Sequence, residues 1–137
     1  PPESVRRLKR KLRETFRRGR GRNIGRLIRD LTPQLRGWVA YDRRSAVKGV
    51  FEQLDQWVRP KLRRVLWKQW KRPRTRAREL ARRGVDVERA HRTAYSGYGP
   101  WRCAGFSAVN RAIPTRELQR HGQVSLLAEQ RRLARFC

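Results

Sequence analysis

Two stretches of this chain carry most of its positive charge, and that segregation constrains the fold more than any other feature. Residues 5–29 hold 12 basic side chains and one acid, Glu14, and residues 59–83 repeat the balance with Glu79. Between them, residues 30–58 carry four bases and four acids and sum to zero. A neutral segment containing Trp38, Tyr41, Phe51 and Trp57 is thus flanked by two arms of net +11 each. Like charges at this density repel, so a folded form needs an apolar core beneath the arms and a polyanion outside them. With a net charge of +26 over 137 residues, 37 % hydrophobic residues and five Trp, the chain has enough apolar material for a modest core. An acidic membrane surface would also attract it. However, no long uncharged apolar run is present, so neither a spanning helix nor a signal-peptide core is expected. The expectation is a cytoplasmic protein associated with nucleic acid and not with a membrane. Arg supplies 31 of the 37 basic residues. Its planar fork suits phosphate and stacks on bases, but an Arg-rich codon usage gives the same count, so the preference alone decides nothing.

The apolar spacing predicts helices throughout. Ser4 is placed as an N-cap before Val5, Leu8, Leu12 and Phe16, and Gly19 and Gly21 break the chain after them. A second helix is expected from about Asn23, with Ile24, Leu27, Ile28, Leu31, Leu35, Trp38 and Val39 on one stripe and a kink or junction at Pro33. Ser45 is the expected cap of a third helix, through Val47, Val50, Phe51, Leu54, Val58, Leu62, Val65 and Leu66. Pro60 is expected to interrupt that helix and bend it near Gln56, and Pro73 to end it. A core is predicted at Leu31, Leu35, Trp38, Val50, Phe51, Leu54 and Trp57. Short helices are expected over 75–83, stopped by Gly84, and from an Asp86 cap to about Ala94. Residues 96–100 read as a loop, and a last amphipathic stretch begins at Ser125. Alternating patterns are almost absent, so the fold class is all-α, a three-helix bundle with a short helical or irregular basic extension.

Catalytic and metal chemistry find little support. Cys103, Cys137, His91 and His121 include no pair at a close ligand spacing, so no zinc site and no cofactor are expected. Cys103 reads as a small buried thiol. Neither His has a nucleophile or carboxylate suitably near in sequence. Tyr41-Asp42 invites comparison with a polymerase motif, but that chemistry needs clustered carboxylates on two metal ions. Asp30 and Asp55 read as surface or capping residues, so no polymerase site is expected in this chain.

The most informative segment is Trp67-Lys68-Gln69-Trp70-Lys71-Arg72-Pro73-Arg74-Thr75-Arg76, which sets two indoles one helical turn apart inside a run of cations. Guanidiniums that hold phosphates beside rings that stack on bases are the chemistry of RNA recognition. Trp67 is expected to pack with Val65 and Leu66, and Trp70 to pack or to face RNA.

Leu35-Arg36-Gly37-Trp38-Val39-Ala40-Tyr41, then Leu54-Asp55-Gln56-Trp57-Val58, then Leu66 to Arg72, and later Gly99-Pro100-Trp101-Arg102 resemble the maturase-specific domain of bacterial group II intron proteins. The ordered set spans roughly residues 20–102. The resemblance implies a thumb that follows the fingers and palm of a reverse transcriptase in the same protein. It would grip the primer–template or RNA–DNA duplex and bind intron RNA to promote splicing. Pro60, where the family has an unbroken basic run, and Asp42, where an aromatic is commoner, depart from the pattern. The nuclease carried by some relatives, with its paired Cys-x-x-Cys motifs, is not expected here.

On this basis residues 1–98 are expected to form the helical thumb domain and residues 99–137 a basic DNA-binding extension. The RNA-binding set expected on the first arm and neutral segment is Arg17, Arg18, Arg20, Arg22, Arg26 and Arg36. On the second arm it is Arg59, Lys61, Arg63, Arg64, Lys68, Trp70, Lys71, Arg72, Arg74 and Arg76. Arg102, Arg111 and Arg116 are assigned to DNA. A structural RNA-binding protein such as a ribosomal component fits the composition equally well, and only the ordered motifs separate the two readings.

Overall fold

The computed structural model describes residues 3–19, 23–42, 48–120 and 132. Eight helices and no strand occur among them, so the fold is all-α, as the spacing predicts. The chain divides into two compact units, one of residues 1–57 with 119–137, the other Val58–Leu118.

The first unit is built on three helices. α1 (Glu3–Arg18) buries Val5, Leu8 and Leu12 at helical spacing, while Glu3 in its first turn suits the positive end of the helix dipole. Ser4 is not a cap: it lies inside α1, because the helix already begins at Glu3. α1 closes at Gly19, whose N–H reaches the Thr15 carbonyl at 2.9 Å. A Cβ at Gly19 would lie 2.6 Å from Leu27 Cδ1, so a hydrogen there lets the next helix approach. That helix, α2 (Ile24–Asp42), is capped by Asn23, whose side chain accepts from the Gly25 N–H at 2.7 Å. Ile24, Leu27, Ile28, Leu31, Leu35 and Val39 are all buried on its stripe. α2 runs through Pro33 without the expected junction. Side chains on either side of the ring are also engaged: Thr32 Oγ1 donates to the Ile28 carbonyl at 2.8 Å, and Gln34 Nε2 donates to the Thr15 hydroxyl of α1 at 2.7 Å.

α3 (Lys48–Gln69) gives its first half to this unit. α1 packs on α2, the Trp38 ring meets Phe51 edge-on at 5.5 Å, and Trp57 lies under Lys9 and Arg13 at 5.6 and 5.5 Å. All three helices therefore touch pairwise, which is the expected bundle. Leu31, Leu35, Phe51 and Leu54 form its centre, whereas Trp38, Val50 and Trp57 are only half-buried at its edge. Asp55 is buried rather than a surface or cap residue, since it shares the face of Phe51, Leu54 and Val58. Pro60 does not interrupt α3. The expected Ser45 cap and the stretch from Ser125 fall outside the described residues.

In the second unit the rest of α3 is followed by α4 (Pro73–Arg82), α5 (Val87–Ala94), α6 (Pro100–Cys103), α7 (Ser107–Ala112) and the start of α8 (Thr115–Arg120). Pro73 opens α4 at a position where its missing N–H costs nothing. Gly84, at φ +99°, closes it: the Gly84 and Val85 N–H groups return to the Ala81 and Leu80 carbonyls at 3.1 and 3.0 Å. Asp86 then caps α5 by accepting from the Arg89 N–H at 3.3 Å. α4 packs on α5 and α7, and α5 packs on α7. Cys103 is buried with a free thiol.

Candidate nucleic-acid interface

The end of α3 and the start of α4 hold the aromatic and cationic residues singled out above, and the structure sorts them into two roles. Trp67 is fully buried, with the Arg76 guanidinium 5.0 Å from its ring. Arg76 Nε also donates to the Trp67 carbonyl at 3.0 Å, which fastens α4 to the end of α3. Burial holds the Arg76 pKa below the usual arginine range, with a smaller opposing effect from Cys103. Arg63 is buried as well, and its Nε donates to the Ile113 carbonyl at 2.8 Å. Its pKa is lowered by burial first and by the neighbouring Arg59 charge second. Arg63 and Arg76, both placed in the binding set by their position in a cation run, are therefore fasteners of the fold. An arginine inside a basic run gives no sign in sequence that its fork has a carbonyl partner at a distance of 50 residues.

The remaining cations of the second arm differ in exposure. Lys68, Lys71, Arg72 and Arg74 are exposed, while Arg59, Lys61 and Arg64 are half-buried. Trp70 lies among them, half-buried, its ring 6.1 Å from Trp67 and 5.1 Å below the Arg83 guanidinium. Arg72 is in extended backbone between the helices, so Lys71 and Arg72 project from a connector. Arg78, exposed one turn beyond Arg74, extends the same cationic row and was not among the sequence candidates. Arg83 was missed too. It caps α4, pairs with Glu117 and Glu79, and donates to the Ala112 carbonyl at 3.3 Å.

In the first unit, Arg17, Arg18, Arg26 and Arg36 are exposed. Arg17 and Arg18 both pair with Glu14, which lowers their net charge as a patch. Arg20 and Arg22 lie outside the described residues. The sequence also missed a cleft of about 470 Å³ between α1 and α2, lined by Ser4, Arg7, Leu8, Lys11, Pro33, Gln34, Gly37 and Trp38. Its cations come from one helix and its indole from the other, a juxtaposition that needs the packed pair. Arg102, Arg111 and Arg116, the candidates for DNA, are all exposed. Among the described residues no group of three or more His, Cys, Asp or Glu is placed to hold a metal ion, and no helix is long and apolar enough to cross a membrane.

No curated protein matches the chain. The family described as group II intron, maturase-specific domain matches residues 5–84, from α1 to the glycine that closes α4. That is 80 of 137 residues and includes both cationic arms, the bundle core and the Trp67–Trp70 segment. A maturase domain acts in intron splicing and is not itself a catalyst. The chain belongs to the group II intron maturase-specific domain family.

Proposed function

We propose that this chain binds intron RNA directly through exposed cations of both arms, and that Lys68, Lys71, Arg72, Arg74 and Trp70 form the principal contact. The observation that carries the reading is the sorting of the second arm. Trp67, Arg63 and Arg76 are used internally, and the outward cations and the half-exposed Trp70 ring are left on a fixed base. Fixed cations neutralise crowded phosphates and so help distant RNA elements approach, while the ribozyme performs the phosphoryl transfer. Arg17, Arg18, Arg26 and Arg36, with Arg7 and Lys11 at the α1–α2 cleft, supply a second patch. In the parent protein, residues 1–98 act as the thumb of a reverse transcriptase and grip primer–template during retrohoming. The extension from residue 99, with Arg102, Arg111 and Arg116, contacts target DNA.

The test uses the parent protein carrying Arg72→Ala and Arg74→Ala, or Trp70→Ala, in low-magnesium intron splicing and in primer extension on a plain template. Loss of splicing with extension retained is the expected result. Loss of extension with splicing intact would make this surface a polymerase grip and move the maturase contact to the first arm. RNA affinity should fall with salt at a slope of roughly 0.7–0.9 per phosphate neutralised, and the double arginine variant should flatten it by up to about two phosphates. An unchanged slope would remove these arginines from the interface.

A further inference from the structure

The second unit carries an aromatic surface that lies beyond the residues matched by the family. Tyr95 and Tyr98 are 50 % and 46 % exposed. Single exposed rings are ordinary on protein surfaces, but these are close together and held in place. Tyr95, at the C-terminal cap of α5, stacks on His91 one turn earlier, with centroids 4.3 Å apart and planes 25° from parallel. Tyr98 follows three residues later, so its Cα lies at most about 11 Å from that of Tyr95. Its ring stands edge-on to Phe106 at 5.8 Å, and the exposed Arg102 guanidinium lies 3.8 Å from its centre. The loop backbone is pinned as well: the Tyr98 N–H reaches Ser96 Oγ at 3.4 Å, and the buried Cys103 thiol donates to the Tyr98 carbonyl at 3.4 Å.

We infer that the rings of His91, Tyr95 and Tyr98, with Arg102, form a stacking platform for the bases of an unpaired nucleic-acid strand. Every base offers a π-face, so rings fixed in advance gain stacking without first having to be ordered. Arg92 and Arg102 are exposed beside the rings and supply cations for the phosphates, against the single acid Glu88 on the same helix, while Arg89 is engaged by Ser107. A protein partner fits less well. A stable interface buries roughly 800 Å² per side around an apolar centre, and Val87 is the one large aliphatic side chain strongly exposed among the described residues. The inference rests on the chain acting on nucleic acid, but on different residues from the proposed RNA contact.

The experiment measures binding of the full chain to fluorescent oligothymidylate, oligouridylate, an abasic deoxyribose-phosphate strand of equal length and a blunt duplex, all at one salt concentration. Tyr95→Ala and Tyr98→Ala should each weaken binding to the two base-bearing strands about 5- to 100-fold. Binding to the abasic strand and the duplex should be unchanged, and Tyr98→Phe should bind like the unaltered protein. The thymidylate and uridylate arms tell whether DNA or RNA is the preferred strand. Tyr95 stacks on His91 at a helix end and is half exposed, so Tyr95→Ala keeps the test open if Tyr98→Ala disturbs the loop. Equal losses on strand and duplex, or an abasic strand bound as tightly as thymidylate, would overturn the platform. So would Tyr variants that bind every probe normally, which would give the patch to a protein partner. Arg72→Ala with Arg74→Ala, measured on a structured RNA in parallel, tests the proposed contact separately. Its failure leaves the contrast between base-bearing and abasic strands intact.

Discussion

Replacing Arg83 by Met should destabilise the second unit by about 3 kcal/mol. The Arg83 side chain is 18 % exposed and that of its partner Glu117 13 %, so the pair is largely withdrawn from water. Breaking a buried pair by removing one member costs about 3–5 kcal/mol, since the other charge stays behind without compensation, and the residual exposure places this case at the low end. Within that sum, the lost cation–π contact with Trp70 accounts for about 0.5–1 kcal/mol. The lost bond to the Ala112 carbonyl accounts for about 1 kcal/mol. Met keeps the apolar stem and so separates loss of charge from loss of packing. Urea denaturation followed by Trp fluorescence reads the change as a lower midpoint at constant slope. Glu117→Gln alone should also destabilise, whereas replacing both residues by Met should come back to within about 1 kcal/mol of the native protein, because neither member of the pair is left without its counter-charge and Glu79 keeps its bonds to Arg82. A loss below about 0.5 kcal/mol for Arg83→Met, the level of an ordinary surface pair, would refute the argument. Strict additivity of the two single changes would do the same.

Trp67→Ala should cost about 3–5 kcal/mol, as the ring is fully buried and Arg76 stacks on it; an unchanged melting temperature would show that the α3–α4 junction does not depend on this indole. The Glu79 carboxyl is held below the ordinary glutamate range, first by its hydrogen bond to Arg82, against an opposing burial effect, and further by the charges of Arg82, Arg83 and Arg78. Its folded pKa is thus depressed, so its contribution is present above the usual value of about 4.3 and is lost as pH falls through the folded value. Melting temperature should drop on acidification below about pH 5, and Glu79→Gln should flatten that drop; equal acid sensitivity of the two proteins would rule Glu79 out as the cause.

Much of the local structure was legible in the sequence because its causes are local. The 3.6-residue recurrence of Val5, Leu8 and Leu12, and of Ile24 through Val39, marks helices whatever surrounds them, and those positions are buried. Asp86 was legible as a cap and Gly84 as a stop, since each acts on backbone groups within a few residues. Ser4 misled because a good capping residue can equally sit in a first turn, and only the helix start distinguishes the two. At the prolines it was the break in the helix that failed to appear. Pro33 and Pro60 each remove one donor, yet α2 and α3 continue through them, since packing of a long apolar face outweighs one lost bond.

The sequence by itself determined an all-helical, strongly basic chain with two cationic arms about a neutral segment, and its ordered motifs identified the family. These follow from periodicity and charge, which need no knowledge of what packs on what. Only the tertiary structure decided which members of a basic run are available. Arg63 and Arg76 are turned inward onto carbonyls, Arg83 joins Glu117 across the second unit, and Lys71, Arg72 and Arg74 remain outside. The pairing of Tyr98 with Arg102 and the cleft between α1 and α2 were likewise fixed by packing. The physical reason is that a guanidinium is long, amphipathic and equally at home on a phosphate, a ring or a buried carbonyl, so its role is set by whichever partner the folded chain brings within reach.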